Sequence, residues 1–97
     1  MSLIDFDPDK RFDEVTEELW QYVNTRDNGI CQICALKGIQ LHHIKYRSQG
    51  GKNYANNLIL LCLLCHNIGI HTKYNVEPNL LVQRARENEE KLRANLV

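Results

Sequence analysis

Apolar positions in this 97-residue chain fall into separate patterns, each with its own period. Phe12, Val15, Leu19, Tyr22 and Val23 recur at three- and four-residue spacing, which is one face of a helix. Asp7-Pro8-Asp9 predicts its start, a carboxylate cap followed by proline at the first helical position. Glu14, Glu17 and Glu18 lie toward that start, where the helix dipole favours acids, and Asp27-Asn28-Gly29 predicts an end near Thr25. This helix would cover a small core, with Trp20 at its edge or in an interface. Residues 39–44 then read as a short strand, residues 45–56 as an exposed loop rich in Gly, Asn and Ser, and residues 58–61 as a second strand. A helix from about Leu63 would carry Cys65 and His66 and stop near Gly69. That order is a ββα unit. From Glu77-Pro78 onward, Leu81, Ala85, Leu92 and Leu96 form a thin stripe broken by Asn88. It predicts a last helix, supported by Glu87–Lys91 and Glu89–Arg93 pairs, that packs across the core or pairs with another subunit.

Length then sets the scale. A chain this short makes one domain, and its modest core leaves room for an added staple. The longest apolar run, Leu58 to Cys65, is far too short to span a membrane. The first residues have neither a basic region nor a hydrophobic signal core, so a cytoplasmic, reducing setting is expected, with cysteines as thiols or metal ligands rather than disulfides. Zero net charge hides an uneven distribution: residues 1–25 carry net −5 and residues 26–74 net +5. The basic centre suits a polyanionic ligand, although six bases over that stretch are equally compatible with an ordinary solvated surface.

The chemistry is concentrated in one stretch. All four cysteines sit in two C-x-x-C pairs, Cys31/Cys34 and Cys62/Cys65, and all four histidines (His42, His43, His66, His71) fall from there to position 71. Each pair brings two sulfurs to one side of a turn, and two pairs complete a tetrahedron around Zn²⁺ with no open position, which makes the ion structural. Redox and iron–sulfur alternatives fit less well: no thioredoxin-like βαβ pattern is present, and the spacing matches no ferredoxin. The 27 residues between the pairs exceed the usual zinc-ribbon gap. His42 and His43 are neighbours, so on a strand they point to opposite faces. One can bind metal while the other faces a substrate, or one can simply be buried.

Leu41-His42-His43-Ile44, Gly50-Gly51, Asn57-Leu58-Ile59-Leu60-Leu61-Cys62 and Cys65-His66 together resemble the HNH endonuclease family, in its variant with two C-x-x-C pairs. The resemblance implies an α+β fold: a ββα-metal core with a structural four-cysteine zinc site (residues 31–71), preceded by a helix and turn (1–30) and followed by a helical segment (72–97). It implies a DNA phosphodiesterase with one catalytic divalent metal (Mg²⁺, Mn²⁺, Ni²⁺ or Zn²⁺), leaving 5′-phosphate and 3′-hydroxyl ends. His43 takes the general-base position, and His42 the preceding metal position, where many relatives carry aspartate. Asn57 takes the position that fixes the loop holding the base, and His66 that of a metal ligand on the helix. The family commonly places a further histidine four residues later; here His71 is five later and follows Gly69, so it either swings back to the metal or leaves its place to water or substrate. Tyr46 stands where relatives often have proline.

Elementary chemistry agrees with that expectation. Phosphodiester hydrolysis needs a deprotonated water and a cation near the phosphate, and imidazole, titrating at roughly 6.5, suits the proton transfer. Lys45, Arg47 and Lys52 in or beside the loop could contact flanking phosphates, Arg47 being the choice for a transition-state contact. DNA is the expected partner, no membrane contact is expected, and a homodimer through the terminal helices or a protein partner directing cleavage would fit. Small proteins of this type resemble those of bacteria, phages and mobile elements. The competing readings are a zinc-stabilised nucleic-acid-binding module without catalysis and a zinc-held protein-interaction domain; neither requires two adjacent histidines plus a third on the helix.

Overall fold

The structure, a computed structural model, describes residues 6–65 and 78–96. Helix α1 (Glu17–Arg26) starts nine residues later than Asp7-Pro8 suggested. Thr16 is its cap, with Oγ1 accepting the Leu19 N–H at 3.2 Å, and Glu17 and Glu18 occupy the first turn. Asp7 instead closes a turn on itself: its Oδ1 accepts from the Asp9 N–H and its carbonyl from the Lys10 N–H. Local side-chain-to-backbone bonding of this sort competes with helix, and here it prevails. Phe12 and Val15 therefore leave the helical stripe. Phe12 forms a β-bridge with Asn53, and Val15 is exposed.

Strands β1 (Gln40–His43) and β2 (Leu58–Leu61) pair antiparallel, with Gln40 opposite Leu61 and His43 opposite Leu58. Both lie within the segments, 39–44 and 58–61, that the sequence marks as strands. All four β2 residues are buried, because the ribbon is covered on two sides. Ile59 and Leu61 join Cys31, Ile44, Leu81 and Ala85 in one cluster; Leu58 joins Phe6, Leu19, Tyr22 and Val23 in another. Phe6 stacks on Tyr22 with ring centroids 4.1 Å apart.

Helix α2 (Pro78–Leu96) packs across the core and reaches both clusters, with Leu81 and Ala85 on the first and Leu92 on the second. Asn88 does not interrupt this packing. Its Nδ2 donates to Asp27 Oδ1 (3.0 Å) and Gln32 Oε1 (2.8 Å), so the polar gap in the stripe is a docking point. Glu89 pairs with Arg93 as expected and also accepts the Tyr22 hydroxyl. Burial and the Glu89 carboxylate hold that phenol well above its ordinary range, so it remains a donor. Glu87 accepts from Gln83.

One polar hub joins these layers. Arg26 and Asp27 are buried at the end of α1 and form a two-point ion pair, Nε to Oδ1 at 2.8 Å and Nη2 to Oδ2 at 3.0 Å. Arg26 also donates to the carbonyls of Ala55 and Leu58, and Asp27 accepts the Leu60 N–H. The turn residue of the sequence pattern is thus the peg on which β2 hangs.

Candidate active site

The knuckle is built first. After the 27–29 turn, the Cys31 N–H donates to the Leu36 carbonyl and the Ala35 N–H to the Cys31 carbonyl, with Ala35 in the left-handed region. This folds Cys31 and Cys34 onto one side. The Gln32 N–H then donates to the Leu60 carbonyl, which ties the knuckle to β2 just ahead of Cys62. All four sulfurs lie within 4.8 Å of one another, and Cys34 and Cys62 are 3.5 Å apart. A tetrahedron with Zn–S bonds of ~2.3 Å has edges of ~3.8 Å, so this geometry suits zinc.

The free thiols show why a cation belongs there. Burial pushes Cys31 up, but the backbone amides of Cys34, Cys62 and Ile33 outweigh it and bring the thiol to about 7. Cys65 goes the other way, raised strongly by burial and then by Cys62, Cys34 and Cys31. The Leu36 amide favours the Cys34 thiolate, yet partial desolvation and its neighbouring sulfurs leave it raised. Four thiolates this close cannot all ionise without a positive charge among them.

His42 and His43 diverge from β1 as the pleat requires. His42 is buried, its ring meeting Tyr46 edge-on at 5.7 Å. His43 is half-buried, and its Nε2 lies 2.7 Å from Asn53 Oδ1. Asn57, also buried, clamps the connecting loop: its Oδ1 accepts the Lys45 N–H at 2.8 Å, and its Nδ2 donates to the carbonyls of Lys45 (3.2 Å) and Lys52 (3.0 Å). The loop closes so tightly that a Cβ on Gly51 would stand 1.8 Å from the Lys45 carbonyl oxygen.

Lys45, Arg47 and Lys52 are all exposed on this loop. Lys45 also lines a cleft of about 430 Å³ shared with Ile44, Asn57, Val82 and Arg86, which brings a base of α2 beside the loop. His66 and His71, expected as metal ligands, lie outside the described residues, as does the helix stop near Gly69. Sequence reasoning passed over Asn53, Arg86 and the Arg26–Asp27 hub. An asparagine two residues after Gly50-Gly51 looks like a turn former, and only the tertiary contact marks it otherwise.

Two antiparallel strands, a clamped loop between them and a four-thiol metal site make this a small α+β protein consistent with a ββα-metal fold. Residues 31–69 match the HNH endonuclease family, a span that runs from the first knuckle cysteine past the second strand and includes His42, His43, Asn57 and His66. No curated protein matches the chain. Among the described residues, no helix is long and apolar enough to cross a membrane.

Proposed function

We propose that this protein is a metal-dependent DNA endonuclease in which His43 is the general base. The observation that carries the reading is the HNH match laid over a loop tied at both ends by Asn57, immediately after the paired histidines. Zinc on Cys31, Cys34, Cys62 and Cys65 would be structural. Those cysteines flank the hairpin, and the ion would hold the start of the following helix against it. His42 and His66, with His71 or water, would hold a second divalent cation; such a cation would neutralise charge on the scissile phosphate and the departing oxygen.

His43 takes a proton from the attacking water as the new P–O bond forms and the bond to the 3′ oxygen breaks. That oxygen gains a proton from solvent, leaving 5′-phosphate and 3′-hydroxyl ends. Lys45, Arg47 and Lys52 contribute positive charge to flanking phosphates, and their exposure supports this role. Weak sequence preference, or a partner that directs cleavage, fits contacts that fall on flanking phosphates rather than on base edges. Cutting both strands together would need a second copy.

Supercoiled plasmid incubated with the zinc-loaded protein and Mg²⁺, Mn²⁺ or Ni²⁺ tests the proposal. Conversion to nicked circles is expected, with His43→Ala inactive. Salt-sensitive DNA binding without any strand break would instead identify a non-catalytic binding module.

A further inference from the structure

Asn53 has only one way to sit. Its Nδ2 donates to the backbone carbonyls of Phe12 (3.3 Å) and Asp13 (3.1 Å), and its own carbonyl accepts the Phe12 N–H at 2.8 Å. Turning the amide over would set Oδ1 against two carbonyl oxygens. Both are acceptors only, so that arrangement loses two hydrogen bonds and adds repulsion inside a residue that is 6% exposed. The oxygen must therefore face His43, at 2.7 Å from Nε2. Two lone pairs cannot share that distance, and so Nε2 must carry the hydrogen.

We propose that Asn53 is a positioning residue that fixes His43 as the Nε2–H tautomer and leaves Nδ1 as the nitrogen able to accept a proton. This rests on the nuclease reading of His43. It extends that reading to a residue and a chain segment with no assigned role. The segment before α1, which lies outside the HNH match, becomes part of the machinery: the Phe12 and Asp13 carbonyls orient Asn53, and Asn53 orients the ring. During hydrolysis the water O–H bond breaks toward Nδ1 as its oxygen bonds to phosphorus. The ring becomes a cation, and the Nε2–H bond to Oδ1 strengthens because its donor is now charged. An imidazole in the other tautomer offers the water an N–H and no lone pair.

The test is nitrogen-15 NMR of the histidine rings in zinc-loaded protein without further metal, at a pH above the imidazole range, combined with plasmid nicking. For His43 in the unaltered protein, one tautomer is expected, with an exchange-protected Hε2 resonance. Asn53→Ala should abolish that resonance, mix the tautomers and lower kcat roughly 10- to 100-fold without raising KM. Asn53→Asp keeps an acceptor facing Nε2 but sets its second oxygen against the Phe12 and Asp13 carbonyls, so it should retain the Hε2 resonance at a lower thermal stability than the unaltered protein. A proton on Nδ1 of His43 in the unaltered protein overturns the inference by itself, even if Asn53→Ala fails to fold. So does an Asn53→Ala protein with an unchanged Hε2 resonance and unchanged kcat. The two claims separate cleanly: protein that never nicks DNA but shows the Asn53-dependent tautomer refutes the nuclease reading and supports the orienting contact. Protein that nicks DNA with His43 in the opposite tautomer does the reverse.

Discussion

Replacing Asp27 with asparagine removes one charge and almost no volume, yet it should be among the most damaging changes in this chain. Four groups point at the Asp27 carboxylate: Arg26 Nε and Asn88 Nδ2 at one oxygen, Arg26 Nη2 and the Leu60 N–H at the other. All four are donors. An amide can satisfy only the pair facing its oxygen, so the other two donors are left against an NH₂ group. At the same time the Arg26 guanidinium, 2% exposed, loses its counter-charge. Breaking a buried pair from one side costs about 3–5 kcal/mol, a large share of the roughly 5–15 kcal/mol that holds a domain folded. Urea unfolding of the zinc-loaded protein, followed by fluorescence of the single tryptophan, Trp20, measures the loss. Zinc must be held at one free concentration, since binding adds to apparent stability. Because Arg26 also holds the carbonyls of Ala55 and Leu58, the loss should extend to the Asn57 region and to nicking activity. An Asp27→Asn protein within about 1 kcal/mol of the parent would show that the hub does not carry the load assigned to it.

Other perturbations separate the parts of the site. Asn57→Ala should cost about 1–3 kcal/mol and speed hydrogen exchange at the Lys45 amide, which loses its only observed acceptor among the described residues, Asn57 Oδ1. Gly51→Ala drives a Cβ into the backbone of Lys45 and Tyr46 and should lose roughly 1–3 kcal/mol along with nicking. Gly50→Ala meets no atom within 4 Å and bears only the strain of φ +86°, about 1 kcal/mol, so thermal melts should rank the two substitutions in that order. The protein should bind one zinc through the four thiols, and a chelator should unfold it, since such a site supplies on the order of 10 kcal/mol to folding. Protons compete with zinc for the same sulfurs: with Cys31 at about 7 and Cys65 held higher, uptake at neutral pH should release protons, and zinc should be lost as pH falls. Calorimetry in buffers of different ionisation enthalpy reads this, and a zinc affinity independent of pH would count against the thiolate site.

The strands and the metal knuckle were legible because each is written locally. A short apolar run bounded by turn residues gave β2 its bounds and β1 to within one residue at each end, and two C-x-x-C pairs announce their geometry by spacing alone. The start of α1 was misread because Phe12 and Val15 fit the helical period, while the cap that matters, Thr16, carries no louder signal than Asp7. Asp27 reads as a turn residue and Asn88 as a break in the stripe, while Asn53 is lost among the polar residues of the loop. Each looks polar and local in the sequence, but each finds its partners far along the chain, Asp27 with Leu60 and Asn88, and Asn53 with Phe12 and His43. Periodicity reports which face is buried; it does not report which polar group a buried polar group will meet.

The sharpest single measurement is single-turnover cleavage of supercoiled plasmid by protein shown to retain its zinc, before and after adding a second divalent metal, with His43→Ala alongside at the same zinc content. Cleavage should begin only when the second metal is supplied and should fall roughly 10²- to 10⁴-fold in His43→Ala. Equal cleavage by the two proteins, or none by either, would contradict a histidine base acting beside an inert thiolate-bound ion.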